Sequence, residues 1–194
     1  MRTLIIPDIH HQTAVVDEIL IREQHDRVVF LGDYFDSFRD TPDRARRTAE
    51  WLKELLRNPR FKLLYGDHDL PYRYGVPQLV CSDFSVEKRE AILDLFDRED
   101  WQPMRLQASV DGFLITHAGW NPSLVDAQGR ITREYIDSVC AECLFELDEG
   151  RMHYLVAART TRGEFPAVGG IVGQDWWELK PVTGLWQIVG HTCV

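Results

Sequence analysis

Three short apolar runs occupy the first third of the chain, and none shows the alternation of a half-exposed strand. They are Leu4-Ile5-Ile6, Val28-Val29-Phe30-Leu31 and residues 61–65. Between them the apolar spacing becomes helical. Val15, Val16, Ile19 and Leu20 recur within 12–24, and a second helical segment starts at Thr41-Pro42-Asp43 and runs to about Arg57. Thr41 is placed to cap that helix, and Pro42 to fill its first position, where a missing N–H is harmless. Strand and helix therefore alternate. Strands apolar on both sides predict a largely parallel sheet covered on both faces, an α/β fold. Such sheets bind ligands beyond the carboxyl ends of their strands.

Each run ends at carboxylates and imidazoles. The first leads to Asp8-Ile9-His10, the second to Gly32-Asp33 with Asp36, the third to Gly66-Asp67-His68-Asp69. Further on, 85–98 reads as a helix, and 104–110 with 113–116 as a hairpin around Asp111-Gly112, a two-residue turn signal. That hairpin ends at Thr116-His117-Ala118-Gly119. Residues 131–147 and 151–159 are expected to be helical, and 185–189 is a last strand before Gly190-His191-Thr192. Taken singly, such residues serve as caps, turns or loop histidines. Their recurrence at five strand ends points to one shared site. Mixed oxygen and nitrogen donors suit Mn²⁺, Zn²⁺ or Fe rather than thiolate-seeking metals. Asp8, Asp33, Asp36 and Asp67 in one cleft would repel one another without a cation, so bound metal is expected to stabilise the fold.

The ordered series D-x-H, G-D-x-x-D, G-x-H-D, H-A-G and G-H-T resembles the calcineurin-like metallophosphoesterases along nearly the whole chain. The resemblance implies a layered α/β/β/α sandwich, a single domain over 1–194 and an active site at the strand carboxyl ends. It also implies two divalent ions, Mn²⁺ foremost, with Fe, Zn²⁺ or Ni²⁺ as alternatives. Asp8, His10 and Asp33 would hold one ion; Asp33, Asp67, His117 and His191 would hold the other, with Asp33 as the bridge. Two ions about 3.5–4 Å apart clamp an in-line displacement at phosphorus and supply a metal-bound hydroxide. His68 would be the general acid, oriented and kept charged by Asp36, and Asp69 a supporting residue.

Two letters depart from the pattern. Position 67 is Asp where the family has Asn, which keeps a ligand oxygen but loses an N–H₂ donor and adds charge beside an incoming anion. That predicts a loaded but slow site. The D-R-G of the protein serine/threonine phosphatases and their bacteriophage relatives is absent, since Asp36 is followed by Ser37-Phe38. Arg39 and Arg73 are then the two candidates for holding phosphate oxygens.

The expected activity is phosphomonoester hydrolysis on a phosphorylated small molecule or a phosphoprotein. The alternatives are a phosphodiesterase or nucleoside polyphosphate hydrolase, and a catalytically weak metal-bound binding protein. Trp120, Trp176 and Trp177 are candidates for a base clamp, although core filling is the better expectation for the tandem pair. A formal charge of −9 argues against a nucleic-acid-binding surface. No apolar run reaches membrane-spanning or signal-peptide length, and a reducing, cytoplasmic setting is expected. Cys140 and Cys143 read as buried helix thiols. His11 reads as a solvated loop residue, and His191, near the last residue, as the least rigidly held ligand.

Overall fold

The computed structural model describes residues 1–157 and 169–191. Strands β1 (Thr3–Ile6), β2 (Arg27–Phe30) and β3 (Phe61–Leu63) pair in parallel in the order β1-β2-β3. Helices α1 (Thr13–Arg22) and α2 (Pro42–Leu56) connect them. Two successive right-handed crossovers in sequential strand order place both helices on one face of the sheet. Side-chain packing agrees. Val28 and Phe30 of β2 join Val16 of α1 and Ala45, Ala49 and Leu52 of α2 in one core.

The alternate residues face the other way. Val29 and Leu31 pack with Leu64, Ala108, Val110 and Ile115 in a separate apolar layer. That layer is closed by a second sheet of β4 (Gln107–Val110), β5 (Phe113–Thr116) and β6 (Trp186–Ile188). β4 and β5 are antiparallel, turning through Asp111 and Gly112 at φ 51° and 89°, whereas β5 and β6 are parallel. The first two runs are therefore apolar throughout because one side meets helices and the other meets a sheet, whereas the third carries the exposed Lys62. Each Val, Leu or Phe so buried contributes about 1.5–3 kcal/mol. A bridge between Leu64 and Arg105, with Tyr65 N donating to the Arg105 carbonyl at 2.8 Å, connects the sheets.

Helices α3 (Leu70–Tyr74), α4 (Val86–Leu93) and α5 (Arg133–Asp148) complete the elements, and α4 packs on α2 and α3. Thr41 caps α2 by accepting from Arg44 N, as its sequence predicts, and Ser85 and Thr132 cap α4 and α5 in the same way. Three expectations are corrected. The helix foreseen over 85–98 stops at Leu93, where Leu95 N turns to the Ile92 carbonyl at 3.0 Å, and a separate turn follows in which the Asp97 carboxylate accepts from Glu99 N and Asp100 N. The strand foreseen from 104 starts at Gln107. Within 151–159 only a 3₁₀ turn at Tyr154–Val156 forms, and 158, 159 and Thr192 lie outside the described residues. No described helix is long and apolar enough to cross a membrane.

The carboxyl ends of β2 and β3 touch back to back. A Cβ on Gly32, whose φ is +113°, would lie 2.2 Å from the Gly66 nitrogen, and a Cβ on Gly66 would lie 2.0 Å from Asp33 Oδ1. Gly32→Ala is expected to destabilise the protein by about 2–4 kcal/mol, measured by urea unfolding. A change within about 0.5 kcal/mol would disprove the close approach.

Candidate metal centre

Five strand ends converge here: Asp8 and His10 follow β1, Asp33 and Asp36 follow β2, Asp67 and His68 follow β3, His117 follows β5, and His191 follows β6. The loops carry backbone strain. His10, Asp33, Asp36 and His191 all sit at positive φ, between 41° and 80°. Aspartate and histidine visit that region more readily than most residues, and such strain persists only where the surroundings enforce it. Here the enforcement is visible. Ile9 N and His10 N both donate to the Asp33 carbonyl, at 3.1 and 2.7 Å. The fully buried Asp69 accepts from Asp33 N, Gly66 N and Tyr34 N, at 2.8, 2.8 and 2.9 Å. Asp69 thus clamps two loops and points no free oxygen at the cleft.

Two groups of donors form around Asp33. Asp33, Asp67, His117 and His191 place one ligand atom each within 4.8 Å of one another, and so do Asp8, His10 and Asp33. The histidine tautomers favour ligation. His117 Nδ1 lies 2.9 Å from the Leu31 carbonyl, and His10 Nδ1 lies 3.1 and 2.8 Å from the carbonyls of Phe35 and Asp36. A carbonyl can only accept, so Nδ1 carries the proton and Nε2 presents its lone pair to the cluster. His117 Nε2 lies 3.3 Å from Asp33 Oδ2, and His10 Nε2 3.6 Å. His191 is anchored despite its late position. Its N–H donates to Asp8 Oδ1 at 3.0 Å, and Gly190 N donates to the His117 carbonyl at 2.7 Å.

The donor set asks for a cation. Asp67 Oδ1 is buried without a hydrogen-bond partner, facing His117 Nε2 at 3.5 Å and His191 Nδ1 at 3.3 Å. Complete burial disfavours a charged His117 ring, yet Asp33, Asp67 and Asp8 hold its pKa well above the ordinary value. Clustered carboxylates that draw a proton onto a buried imidazole fit a divalent ion in its place.

Beside this cluster lies a second one. His68 Nδ1 is 3.0 Å from Asp36 Oδ2, and its ring meets the His10 ring edge-on, centroids 5.2 Å apart. Asp36 is held on its other oxygen by Tyr72 OH and by Lys88 Nζ, the latter at 2.6 Å. Lys88 also donates to Asp40 Oδ1 at 2.9 Å and to the Asp83 carbonyl, and Asp40 Oδ2 lies 2.7 Å from His11 Nε2. Burial by itself would raise the Asp36 pKa, but the bonds from His68, Lys88 and Tyr72 hold it below the ordinary value. Burial likewise opposes a charged His68. The bonds to Asp36 and Cys81 and the fields of Asp33 and Asp67 nevertheless push it up to about 12.

Lys88 is the residue that motif reading passes over. It sits four residues before Ile92 on the buried face of α4, so a lysine on an apolar stripe was the available signal. Other expectations are corrected. His11 is buried, not solvated, with Nδ1 2.7 Å from Thr48 Oγ1. Arg73, the expected phosphate holder, is engaged within the protein: it donates to Tyr65 OH and the Trp101 carbonyl and pairs with Asp148 at 3.2 Å. Arg39 is exposed, three residues after Asp36 and beside Phe38, which is 92 % exposed. Trp120 is fully buried and donates to the Leu124 carbonyl, so it clamps nothing. Trp176 and Trp177 are half-exposed rather than core, ring centroids 5.9 Å apart, on a segment fixed by Gln174 donating to the Ala118 carbonyl. Cys140 and Cys143 are buried in α5, as expected.

A family model described as calcineurin-like phosphoesterase matches residues 1–192. No curated protein matches the chain. A metallophosphoesterase from Sphaerobacter thermophilus is 22 % identical over 63 % of this chain and 48 % of its own, with a TM-score of 0.40. A protein serine/threonine phosphatase from Saccharomyces cerevisiae, similar to human phosphatase PP5, is 17 % identical over 70 % of this chain and 44 % of its own, with a TM-score of 0.39. The chain thus spans about half the length of those two proteins.

Adding Mn²⁺ to chelator-treated protein is expected to raise Tm by roughly 5–10 °C for each site filled at a hundredfold excess over its Kd, since linkage then supplies about 2.7 kcal/mol per site. Scanning calorimetry that registers no shift with Mn²⁺ or chelator would remove the metal reading. Lys88→Met is expected to cost about 3–5 kcal/mol in urea unfolding, because Asp36 is left buried without its cation. The pH signature follows from the two shifts. Asp36, lowered from 3.8, stabilises above that value and loses its contribution as pH falls through its folded value. Lys88, raised from 10.5, stabilises below that value and loses its contribution only above it. The gap between wild type and Lys88→Met should therefore stay level from about pH 5 to pH 9 and close in acid.

Proposed function

Because the chain belongs to the calcineurin-like phosphoesterase family, we propose that it hydrolyses phosphomonoesters at two divalent ions, Mn²⁺ foremost, held around Asp33. The observation that carries this reading is the sharing of one carboxylate. Asp33 stands in both donor groups, with Asp8 and His10 on one side and Asp67, His117 and His191 on the other. One oxygen, Oδ2, faces both His117 Nε2 at 3.3 Å and His10 Nε2 at 3.6 Å, and so stands between the two groups. When bound, such ions supply an activated water and neutralise phosphate oxygens as charge builds up.

The chain's own residues do the rest. His68 donates the proton that the leaving oxygen needs. Its Nδ1 is committed to Asp36, so Nε2 is the atom that delivers. Asp36, gripped by Lys88 and Tyr72, cannot swing away and keeps the imidazole charged. Arg39 is the guanidinium we assign to the substrate's outer oxygens, and the neighbouring Phe38 would meet its organic part. Asp67 keeps a ligand oxygen but sets a negative charge beside the phosphate, slowing turnover by about 10²–10³.

One observation favours a second reading, hydrolysis of a diester or nucleoside polyphosphate. The exposed Trp176 and Trp177, tethered to the His117 loop through Gln174, could stack a base. A panel of para-nitrophenyl phosphate, its bis ester and a dinucleoside polyphosphate, each with Mn²⁺, decides between the two. Cleavage of the diester or polyphosphate alone would replace the monoester reading, and bound metal without any turnover would leave a binding protein.

His68→Asn is expected to lose about 10²–10⁴ in kcat on alkyl phosphates and much less on para-nitrophenyl phosphate, whose leaving group needs no proton. Equal losses on both would exclude the acid role. Asp67→Asn is expected to raise kcat by about 10²-fold with both metals retained. No gain, with metal content unchanged, would refute the account of Asp67.

A further inference from the structure

Cys81 has no place in the hydrolytic reading, yet its thiol is aimed at the centre of the proton-donating pair. It lies in the loop between a 3₁₀ turn at Pro77–Leu79 and α4, buried, with Sγ 3.2 Å from His68 Nδ1 and 3.8 Å from Asp36 Oδ2. Asp36 Oδ2 and His68 Nδ1 are 3.0 Å apart. We propose that Cys81 Sγ, His68 Nδ1 and Asp36 Oδ2 form a separate site for a thiolate-seeking divalent ion, Zn²⁺ or Cd²⁺, whose occupancy switches the proton donor off.

The geometry supports a single ion. A tetrahedral Zn²⁺ with bonds of about 2.0–2.1 Å to nitrogen and oxygen and about 2.3 Å to sulfur sets its donors about 3.3–3.6 Å apart. The three edges, 3.0, 3.2 and 3.8 Å, bracket that range, so shifts of a few tenths of an ångström complete the face. Asp36 is already oriented for it. Lys88 and Tyr72 hold Oδ1, which leaves Oδ2 turned toward the imidazole and the thiol. The His68 side chain is 16 % exposed, enough for entry and for a solvent ligand in the fourth position.

Chemistry separates this site from the neighbouring cluster. That cluster offers only carboxylates and imidazoles, a set open to Mn²⁺, whereas sulfur selects the softer ion. On binding, the thiol proton and the Nδ1 proton leave to solvent, Sγ and Nδ1 each bond the metal, and nothing is oxidised or reduced. The binding claim stands without any hydrolytic activity. The switch rests on the role given to His68 above, because the ion takes the two atoms through which Asp36 holds that ring.

The test is a Cd²⁺ titration of the full chain preloaded with Mn²⁺, read by the ultraviolet thiolate-to-metal charge-transfer band. One equivalent is expected to saturate the band in wild type and in a Cys140→Ala, Cys143→Ala variant, and Cys81→Ser should lose it while keeping its melting temperature and its Mn²⁺. No band, or a band that survives Cys81→Ser, would overturn the site, as would a band lost with Cys140 and Cys143. Zn²⁺ at one equivalent should then reduce kcat on an alkyl phosphate, whose leaving group needs the proton, in wild type by tenfold or more and leave Cys81→Ser unaffected. Binding with undiminished turnover would overturn the switch. A chain that hydrolyses none of the esters fails the functional reading alone, since the band is read without turnover.

Discussion

A single buried carboxylate sets the positions of most groups in the cleft. Asp69, fully buried, accepts three backbone N–H bonds, two from the loop after β2 and one from the loop after β3. They hold Asp33 in a left-handed conformation and press Gly32 against Gly66, an approach no side chain at either position would permit. Asp33 then reaches both donor groups, and its Oδ1 accepts from His68 N at 3.0 Å. Without that clamp the two loops would have no reason to share a carboxylate.

The cleft concentrates more negative charge than its own residues neutralise, and the two halves handle it differently. Around Asp36 the protein supplies its own cation, Lys88, and the resulting chain from His11 through Asp40, Lys88 and Asp36 to His68 fixes that imidazole in place. Around Asp33 and Asp67 no lysine or arginine enters among the described residues. The buried, unpartnered oxygen of Asp67 and the strongly basic His117 are the marks of that imbalance. A fixed internal cation suits a group that must keep one geometry.

Much of the architecture is legible in the order of residues. The apolar runs imply parallel strands because both of their faces are buried. Thr41-Pro42 marks a helix start, and Asp111-Gly112 marks a hairpin, because those residues carry a backbone mechanism. What covers the far face of the first sheet is not legible from the runs, since an apolar residue reads the same against a helix or a sheet. The end of α4 escapes the pattern because helical spacing continues past Leu93, while the chain there turns back on Ile92 and then enters a turn held by the Asp97 carboxylate. In the cleft, the residues of the recurring motifs do converge. The arginines and tryptophans divide differently, because exposure is decided by neighbours distant in sequence. Arg73 is committed to Tyr65 and Asp148, Trp120 is buried, and Trp176 and Trp177 are left out in solvent.

The sequence by itself determined the donor inventory and its placement at strand ends. Residue type fixes which atoms can ligate or carry a proton, and strand polarity fixes which loops face one another. The tertiary structure alone decided how those donors are aimed. Carbonyls of Leu31, Phe35 and Asp36 set the tautomers of His117 and His10. A lysine fifty-two positions away holds Asp36, and a cysteine thirteen positions from His68 shares its Nδ1. Such contacts arise only when separate elements pack, because direction and burial are properties of the assembled neighbourhood and no local pattern encodes them.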